Sequence, residues 1–192
     1  MNNRQGPKRE SLSEAHLRVT NSSRFRVLHG HALELLSRLE ATYHVVRSDA
    51  FEVLPGLMQS FEHALSPMAL TPVVPDAAPV AVAFTSFPSI VIRYGLWQAK
   101  SFPVCGCDAC DEDAVEQARR LDEEIGLVVA GRFVEEVRIP WFGDARLYSR
   151  LGDATNAAGP IAEGWTTFPR IVAHRLTSSG IRRMEWQPWP KR

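Results

Sequence analysis

Three cysteines carry the most concentrated chemistry in the sequence, at Cys105, Cys107 and Cys110. A thiolate binds soft or borderline cations, and three thiolates within six residues can converge on one Zn²⁺ if the backbone turns, which Gly106 permits. Cysteines this close together cannot crosslink distant elements, and an odd number points to metal or thiol chemistry rather than to a disulfide framework. We therefore predict a zinc-binding turn.

The predicted turn supplies three ligands, whereas a structural zinc ion takes four. Asp108 lies inside the loop and offers a carboxylate oxygen. His174 is the preferred distant candidate, because we predict it in a late strand that could approach the loop. Water or a partner chain are the other sources. The predicted metal ligands are therefore Cys105, Cys107, Cys110, Asp108 and His174.

Carboxylates crowd the predicted site, and they define its electrostatics. Asp108, Asp111, Glu112 and Asp113 add negative charge that disfavours thiolates and raises the thiol pKa. A helix N-terminus after the loop would oppose this by about 0.3 to 1 kcal/mol, which is less than several close carboxylates together. Without a cation these thiols should be poor nucleophiles, and a bound dication would reverse the penalty.

Two other interpretations of the loop stay open. Cys107-Asp-Ala-Cys110 is a C-x-x-C before a predicted helix, the arrangement of thiol-disulfide oxidoreductases. Against this, the helix begins with acidic residues, Cys105 is an extra thiol, and no βαβ unit surrounds the motif. In the remaining interpretation the cysteines are small apolar residues that pack a turn, and the acidic residues cap the helix.

The tryptophans raise the question of a partner. Trp186 and Trp189 lie in a proline-rich segment, which fits a tail docked in an apolar groove. The same residues would equally suit an exposed anchor of a partner-binding immunity or regulatory protein without a metal. Trp97, Trp141 and Trp165 lie beside predicted strands and are expected in the core.

Composition excludes several classes of protein. The 192 residues are 45% hydrophobic and 23% charged, which fits one globular domain. The charges of its 22 basic and 22 acidic residues cancel, and a net charge of zero argues against nucleic acid binding through phosphates. No apolar run approaches the roughly 20 residues of a membrane-spanning helix, and the polar start lacks a secretory signal. We predict a cytoplasmic protein that does not bind membranes, and no catalytic motif gives a case for an enzyme.

Apolar periodicity divides the chain into a tail and a domain. Residues 1–22 lack periodicity and are expected to form a flexible basic tail, followed by a single domain over residues 23–192. Apolar residues at three- and four-residue steps from Phe25 to Val46 predict a long helix, and Pro55 to Leu65 predicts a second. Four prolines between Pro67 and Pro79 predict an extended connector rather than an element.

The rest of the chain is predicted as strands with one helix. Val80–Phe84 and Ile90–Tyr94 alternate as antiparallel strands, and Leu96–Phe102 would extend their sheet. Asp111–Leu127 has helical spacing. Further strands are predicted at Phe133–Ile139, Arg146–Leu151, Trp165–Leu176 and Ile181–Trp186. The fold class is therefore α+β, with N-terminal helices packed on a mainly antiparallel sheet and one helix after the cysteine loop.

The string Cys105-Gly-Cys-Asp-Ala-Cys-Asp-Glu112 resembles an uncharacterised family of small actinobacterial proteins of unknown function. Three further segments match that family in order: Phe84-Thr-Ser-Phe-Pro88, Arg93-Tyr-Gly-Leu-Trp97 and Trp186-Gln-Pro-Trp-Pro190. Together they span roughly residues 25–190. The resemblance implies one domain in a bacterial, intracellular protein, and it implies no activity.

Overall fold

A computed structural model describes residues 18–49, 64–153, 162–169, 173–174 and 183–192. The described chain contains two α-helices and nine strands, which confirms the α+β class. The helices are α1, Val27–Thr42, and α2, Ala114–Val129. The strands are β1, Val45–Ser48; β2, Ala64–Pro72; β3, Val80–Thr85; β4, Ile90–Tyr94; β5, Gln98–Phe102; β6, Phe133–Arg138; β7, Ala145–Leu151; β8, Ala162–Phe168; and β9, Arg183–Glu185.

The strands form two antiparallel sheets rather than one. The first has the order β1-β2-β3-β4-β5, so that sequential strands are neighbours, and the second has the order β8-β7-β6-β9. The predicted pairing of the strands from Val80 and from Ile90 is confirmed, with Val82 opposite Ile92. β5 extends the first sheet as expected.

Helix α1 follows a 3-10 turn, Ser22–Arg26, and buries one face. That face consists of Leu28, Ala32, Leu35, Leu36 and Leu39. The prediction that this helix continues to Val46 is wrong, because the chain becomes extended at Tyr43 and Val46 lies in β1. The β-branched Val45 and Val46 suit a strand better than a helix, which accounts for the change.

Helix α2 confirms the helix predicted after the cysteine loop. Leu121, Ile125 and Val128 are buried, and the helix contacts α1, β5 and β7. It therefore packs against both sheets. The helix is followed by Gly131, whose φ of +71° is unfavourable for other residues. A Cβ atom there would lie 2.5 Å from the backbone nitrogen of Pro188, so the chain also needs glycine for space.

The prediction of a proline connector between Pro67 and Pro79 is wrong in its first half, because β2 runs through Pro67 to Pro72. The pairing register of β2 with β3 shifts between Leu65 and Met68, and Pro67 lies in this irregularity. Pro72 is the last residue of the strand. Bulges and strand ends are positions where a missing backbone N–H costs little.

Other boundaries differ from the prediction or lie outside the described residues. The strand predicted from Trp165 to Leu176 is displaced, since β8 begins at Ala162 and ends at Phe168. Residues 173–174 have helical geometry. The predicted helix from Pro55 lies outside the described residues except for its end, where Leu65 belongs to β2. Most of the predicted tail, residues 1–17, also lies outside them.

The C-terminal segment, Trp186–Arg192, joins parts of the fold that are far apart in sequence. Trp186 and Trp189 are 4% and 3% exposed, so the prediction of a docked tail is confirmed and that of an exposed anchor is wrong. The indole N–H of Trp189 donates to the carbonyl oxygen of Ala78 at 2.8 Å. The backbone N–H of Arg192 donates to the carbonyl oxygen of Thr42 at 3.0 Å.

A buried carboxylate connects the two sheets with this segment. Glu135 is fully buried on β6, where its oxygens accept hydrogen bonds from the backbone N–H of Leu96 at 2.8 Å and of Trp97 at 3.1 Å. The indole N–H of Trp186 donates to the same carboxylate at 2.9 Å. Burial raises the pKa of Glu135 to about 7, and these donors oppose the rise. The side chain thus ties the turn between β4 and β5 to the second sheet.

Of the three tryptophans expected in the core, only one is buried. Trp97 is 6% exposed, but Trp141 is 89% exposed and Trp165 is 37% exposed, so the prediction is wrong for the last two. Trp141 lies in the turn between β6 and β7. Trp165 points to the outer face of the second sheet, where its ring lies 5.1 Å from that of Tyr148. No helix in the described part of the chain is both long and apolar enough to cross a membrane.

Candidate metal centre

The cysteine loop lies between β5 and α2, and it brings its three sulfurs together. The Sγ atoms of Cys105, Cys107 and Cys110 all lie within 4.8 Å of one another. Those of Cys105 and Cys107 are 3.1 Å apart. Sulfurs that bind one zinc ion at about 2.3 Å lie about 3.8 Å apart in a tetrahedral site. Small shifts of the side chains would therefore bring all three sulfurs into the range of one ion.

The backbone of the loop is held by a carboxylate that follows it. Glu112 accepts hydrogen bonds from the backbone N–H of Val104 at 3.0 Å and of Cys105 at 2.9 Å. These two bonds close the loop on itself. Gly106 is packed against the ring of Phe87, since a Cβ atom at residue 106 would lie 2.2 Å from the ring. A side chain at this position would displace either the ring or the loop.

Asp108 faces the segment that precedes α1. Its Oδ1 accepts a hydrogen bond from the backbone N–H of Thr20 at 2.9 Å, and its own N–H donates to the carbonyl oxygen of Arg18 at 2.9 Å. The guanidinium of Arg18 lies 3.6 Å from its other oxygen. Residues 18–20, which the sequence assigns to a flexible tail, are thus hydrogen bonded to the loop.

The three thiols differ in exposure. Cys107 is 2% exposed, Cys105 is half-buried and Cys110 is exposed. Hydrogen bonds that hold the proton on the Cys110 thiol, to the sulfurs of Cys107 and Cys105, raise the pKa of Cys110 to about 12. Desolvation and the charge of the two neighbouring sulfurs raise it further. The raised thiol pKa expected from the sequence is therefore confirmed for Cys110. The cause differs, because the neighbouring sulfurs raise it, whereas the sequence pointed to the carboxylates.

The structure brings together three of the five predicted ligands. Within the described residues, the group of converging ligand atoms consists of the three cysteine sulfurs, and it includes neither Asp108 nor His174. His174 is exposed and lies in a helical turn instead of the predicted strand. Asp108 and His174 as ligands stay predictions. Sequence reasoning missed the role of Glu112, because its hydrogen bonds go back to the backbone of residues 104 and 105 and follow no helix-capping pattern.

Comparison with known proteins places the chain in a family. The model of a family of unknown function, DUF6226, matches residues 2–192. The chain belongs to this family. DUF6226 membership confirms the resemblance to an uncharacterised family, and the actinobacterial origin stays a prediction. No curated protein and no solved structure matches this DUF6226 chain.

Proposed function

We propose that this protein is a non-enzymatic, intracellular binding module whose cysteine loop holds one thiophilic metal ion, with Zn²⁺ the expected ion. The observation that supports the proposal is the convergence of three sulfurs within 4.8 Å in one loop. Thiolates select Zn²⁺, Cu⁺ and iron–sulfur clusters over hard cations such as Mg²⁺. The close spacing of the sulfurs favours a single ion, since a cluster would hold its cysteines further apart.

The alternative of a thiol-disulfide oxidoreductase has less support. Such an enzyme needs a thiolate at neutral pH, and therefore a thiol whose pKa is lowered. The exposed thiol that a substrate would reach is Cys110, and its pKa is raised. The side chains that accept backbone N–H groups here, Glu112 and Asp113, are acidic and supply no positive charge that would lower a thiol pKa.

Metal analysis of the purified protein tests the proposal. After purification under reducing conditions without chelators, we expect about one equivalent of zinc per protein chain, measured by elemental mass spectrometry. Replacing all three cysteines by serine should abolish it. Val104→Ala is the matched control, because Val104 is an exposed loop residue that offers no ligand atom. Less than about half an equivalent in the unaltered protein, with none taken up from added zinc, would contradict the proposal.

A second candidate function is contact with a protein through the aromatic patch, by which we mean Trp141, Phe142 and Trp165. The first two are 89% and 88% exposed at the turn between β6 and β7. Large aromatic residues and arginines are the types enriched in protein interfaces. This patch replaces Trp186 and Trp189, which are buried, as the location of the partner-binding function expected from the sequence.

The charges beside the aromatic patch favour a second copy of the chain as the partner. The outer face of the second sheet carries four arginines and three glutamates, which are Arg138, Arg146, Arg150, Arg183, Glu136, Glu163 and Glu185. The phosphates of a nucleic acid would be attracted by the arginines of this face but repelled by its glutamates. Within one chain Glu136 pairs with Arg138 and Arg183, and Glu185 pairs with Arg183. A face that carries both signs of charge can meet the same face of another copy across a two-fold axis.

Sedimentation velocity over a range of protein concentrations tests this second candidate. We expect a monomer–dimer equilibrium that shifts to monomer when Trp141→Ser and Phe142→Ser are combined. Val73→Ser serves as control, because Val73 is 59% exposed next to the first sheet and lies outside the patch. A chain that stays monomeric at the highest concentration would exclude self-association through this face.

A further inference from the structure

We infer that the cysteine loop is a preformed site from which the ion can exchange without unfolding the protein. This inference rests on the metal binding proposed above and concerns what the bound ion does. The sequence led us to expect a structural ion, of the kind on which folding depends. The contacts of the loop point instead to an ion that a folded protein takes up and releases.

The first observation is that hydrogen bonds within the protein already fix the loop. Glu112 accepts two backbone N–H groups, from Val104 and Cys105. Asp108 is joined to the segment before α1 by two bonds, and Asp113 accepts the backbone N–H of Glu116 at the start of α2. In domains that depend on zinc to fold, the ion itself supplies this organisation.

The second observation is that the loop contributes little to the hydrophobic core. Cys107 is buried and Gly106 contacts Phe87, which packs against the main cluster, but the cysteines lie outside both clusters. The main cluster joins both helices, the first sheet, Phe133, Trp186 and Trp189, and none of the three cysteines belongs to it. The smaller cluster around Trp97 does not contain them either. Loss of an ion from the loop would therefore leave most of the buried apolar contacts in place, and these contribute most of the stability of a domain of this size.

The third observation is the gradient of exposure across the sulfurs. Cys107 is buried, whereas Cys110 is exposed and no fourth protein ligand joins the group within the described residues. An incoming small thiol can thus approach the ion beside Cys110. Its sulfur would bond to the ion as the bond to Cys110 breaks, and the proton of the incoming thiol would pass to the Cys110 sulfur. Neither sulfur changes its oxidation state.

This arrangement makes Glu112 a positioning residue for the site. It holds the backbone of Cys105, one of the ligands, by accepting a hydrogen bond from its N–H. Glu112→Gln keeps the size of the side chain but leaves one acceptor oxygen for two N–H groups. Loss of such an outer contact typically lowers metal affinity by about 10- to 100-fold. Glu123→Gln is the matched control, because Glu123 is an exposed residue of the adjoining helix.

The experiment uses the full chain with zinc alone. The zinc-free protein is prepared with a chelator, its fold is followed by circular dichroism on heating, and zinc release to a chromophoric chelator is timed by absorbance. We expect the zinc-free protein to unfold cooperatively within a few degrees of the zinc-bound form. We also expect release to be much faster than global unfolding, and Glu112→Gln to weaken zinc binding about 10- to 100-fold with the control unchanged.

Two results would overturn the inference, and they are distinguishable. If zinc binds but its removal unfolds the protein, or if zinc leaves only as fast as the protein unfolds, the ion is structural and metal binding still stands. If the folded protein binds no zinc, the metal-binding proposal fails together with this inference. The comparison of the zinc-free with the zinc-bound form uses the unaltered chain, so its result does not depend on whether any variant folds.

Discussion

The buried carboxylate of Glu135 should make the stability of this protein depend on pH. Its pKa is raised from 4.5 to about 7 because it is buried, so the folded protein holds a proton that the unfolded chain has already lost. The stabilisation is fully present below about pH 4.5, falls as the pH rises, and is lost once the pH has passed the folded pKa of about 7. Glu135→Gln removes the titrating group and should remove this dependence.

The size of the effect follows from the gap between the two pKa values, which is about 2.5. At about 1.36 kcal/mol for each unit, the full loss is about 3 kcal/mol, and most of it falls between about pH 5 and about pH 8. For a chain of this length, that corresponds to a fall in melting temperature of about 6 to 12 °C. The variant has its own fixed cost, because its amide would face the N–H donors of Leu96, Trp97 and Trp186.

Thermal and urea denaturation of both proteins across this pH range tests the prediction. The relevant quantity is the slope of the free energy of unfolding against pH, compared between Glu135→Gln and the unaltered protein. The fixed cost of the substitution shifts this curve without changing its slope. Glu185→Gln is the control, since Glu185 is 64% exposed on the neighbouring strand β9. If the curves of the variant and the unaltered protein run parallel between about pH 5 and about pH 8, Glu135 does not titrate as argued.

Three further changes test the packing. Gly131→Ala should destabilise the protein by several kcal/mol, because it combines a φ of +71° with contact against Pro188, and thermal denaturation would show this. Gly30→Ala should instead stabilise it by about 0.5 to 1 kcal/mol, since a Cβ atom there meets nothing within 4 Å on helix α1. Trp189→Ala should cost about 3 to 5 kcal/mol in urea denaturation, because it empties a buried site and leaves the carbonyl oxygen of Ala78 without its donor.

Patterns that rest on burial along one element were predictable from the sequence. The alternation from Val80 and from Ile90 gave the correct strands, and the helical spacing of Leu121 and Ile125 gave the correct face of α2. The convergence of the sulfurs was also foreseeable, since three cysteines in six residues with a glycine between them have little room to separate.

What could not be predicted depends on contacts between distant residues. The role of Pro67 follows from a register shift against β3, which local sequence does not reveal. Glu112 and Asp108 looked like charges repelling thiolates, but the fold uses them as acceptors for backbone N–H groups. The sequence predicts Trp141 in the core because it follows a strand, and only the position of the turn after β6 shows that it is exposed.

The C-terminal segment has a consequence for how the protein is made. Residues 186–192 form hydrogen bonds with the connection between β2 and β3, with Phe133 of β6, and with the ends of α1 and α2, all of which are translated earlier. Until Trp186 and Trp189 leave the ribosome, the apolar surfaces that receive them face solvent. The nascent chain should therefore recruit holding chaperones during synthesis and acquire protease resistance only after residues 186–192 have emerged and docked.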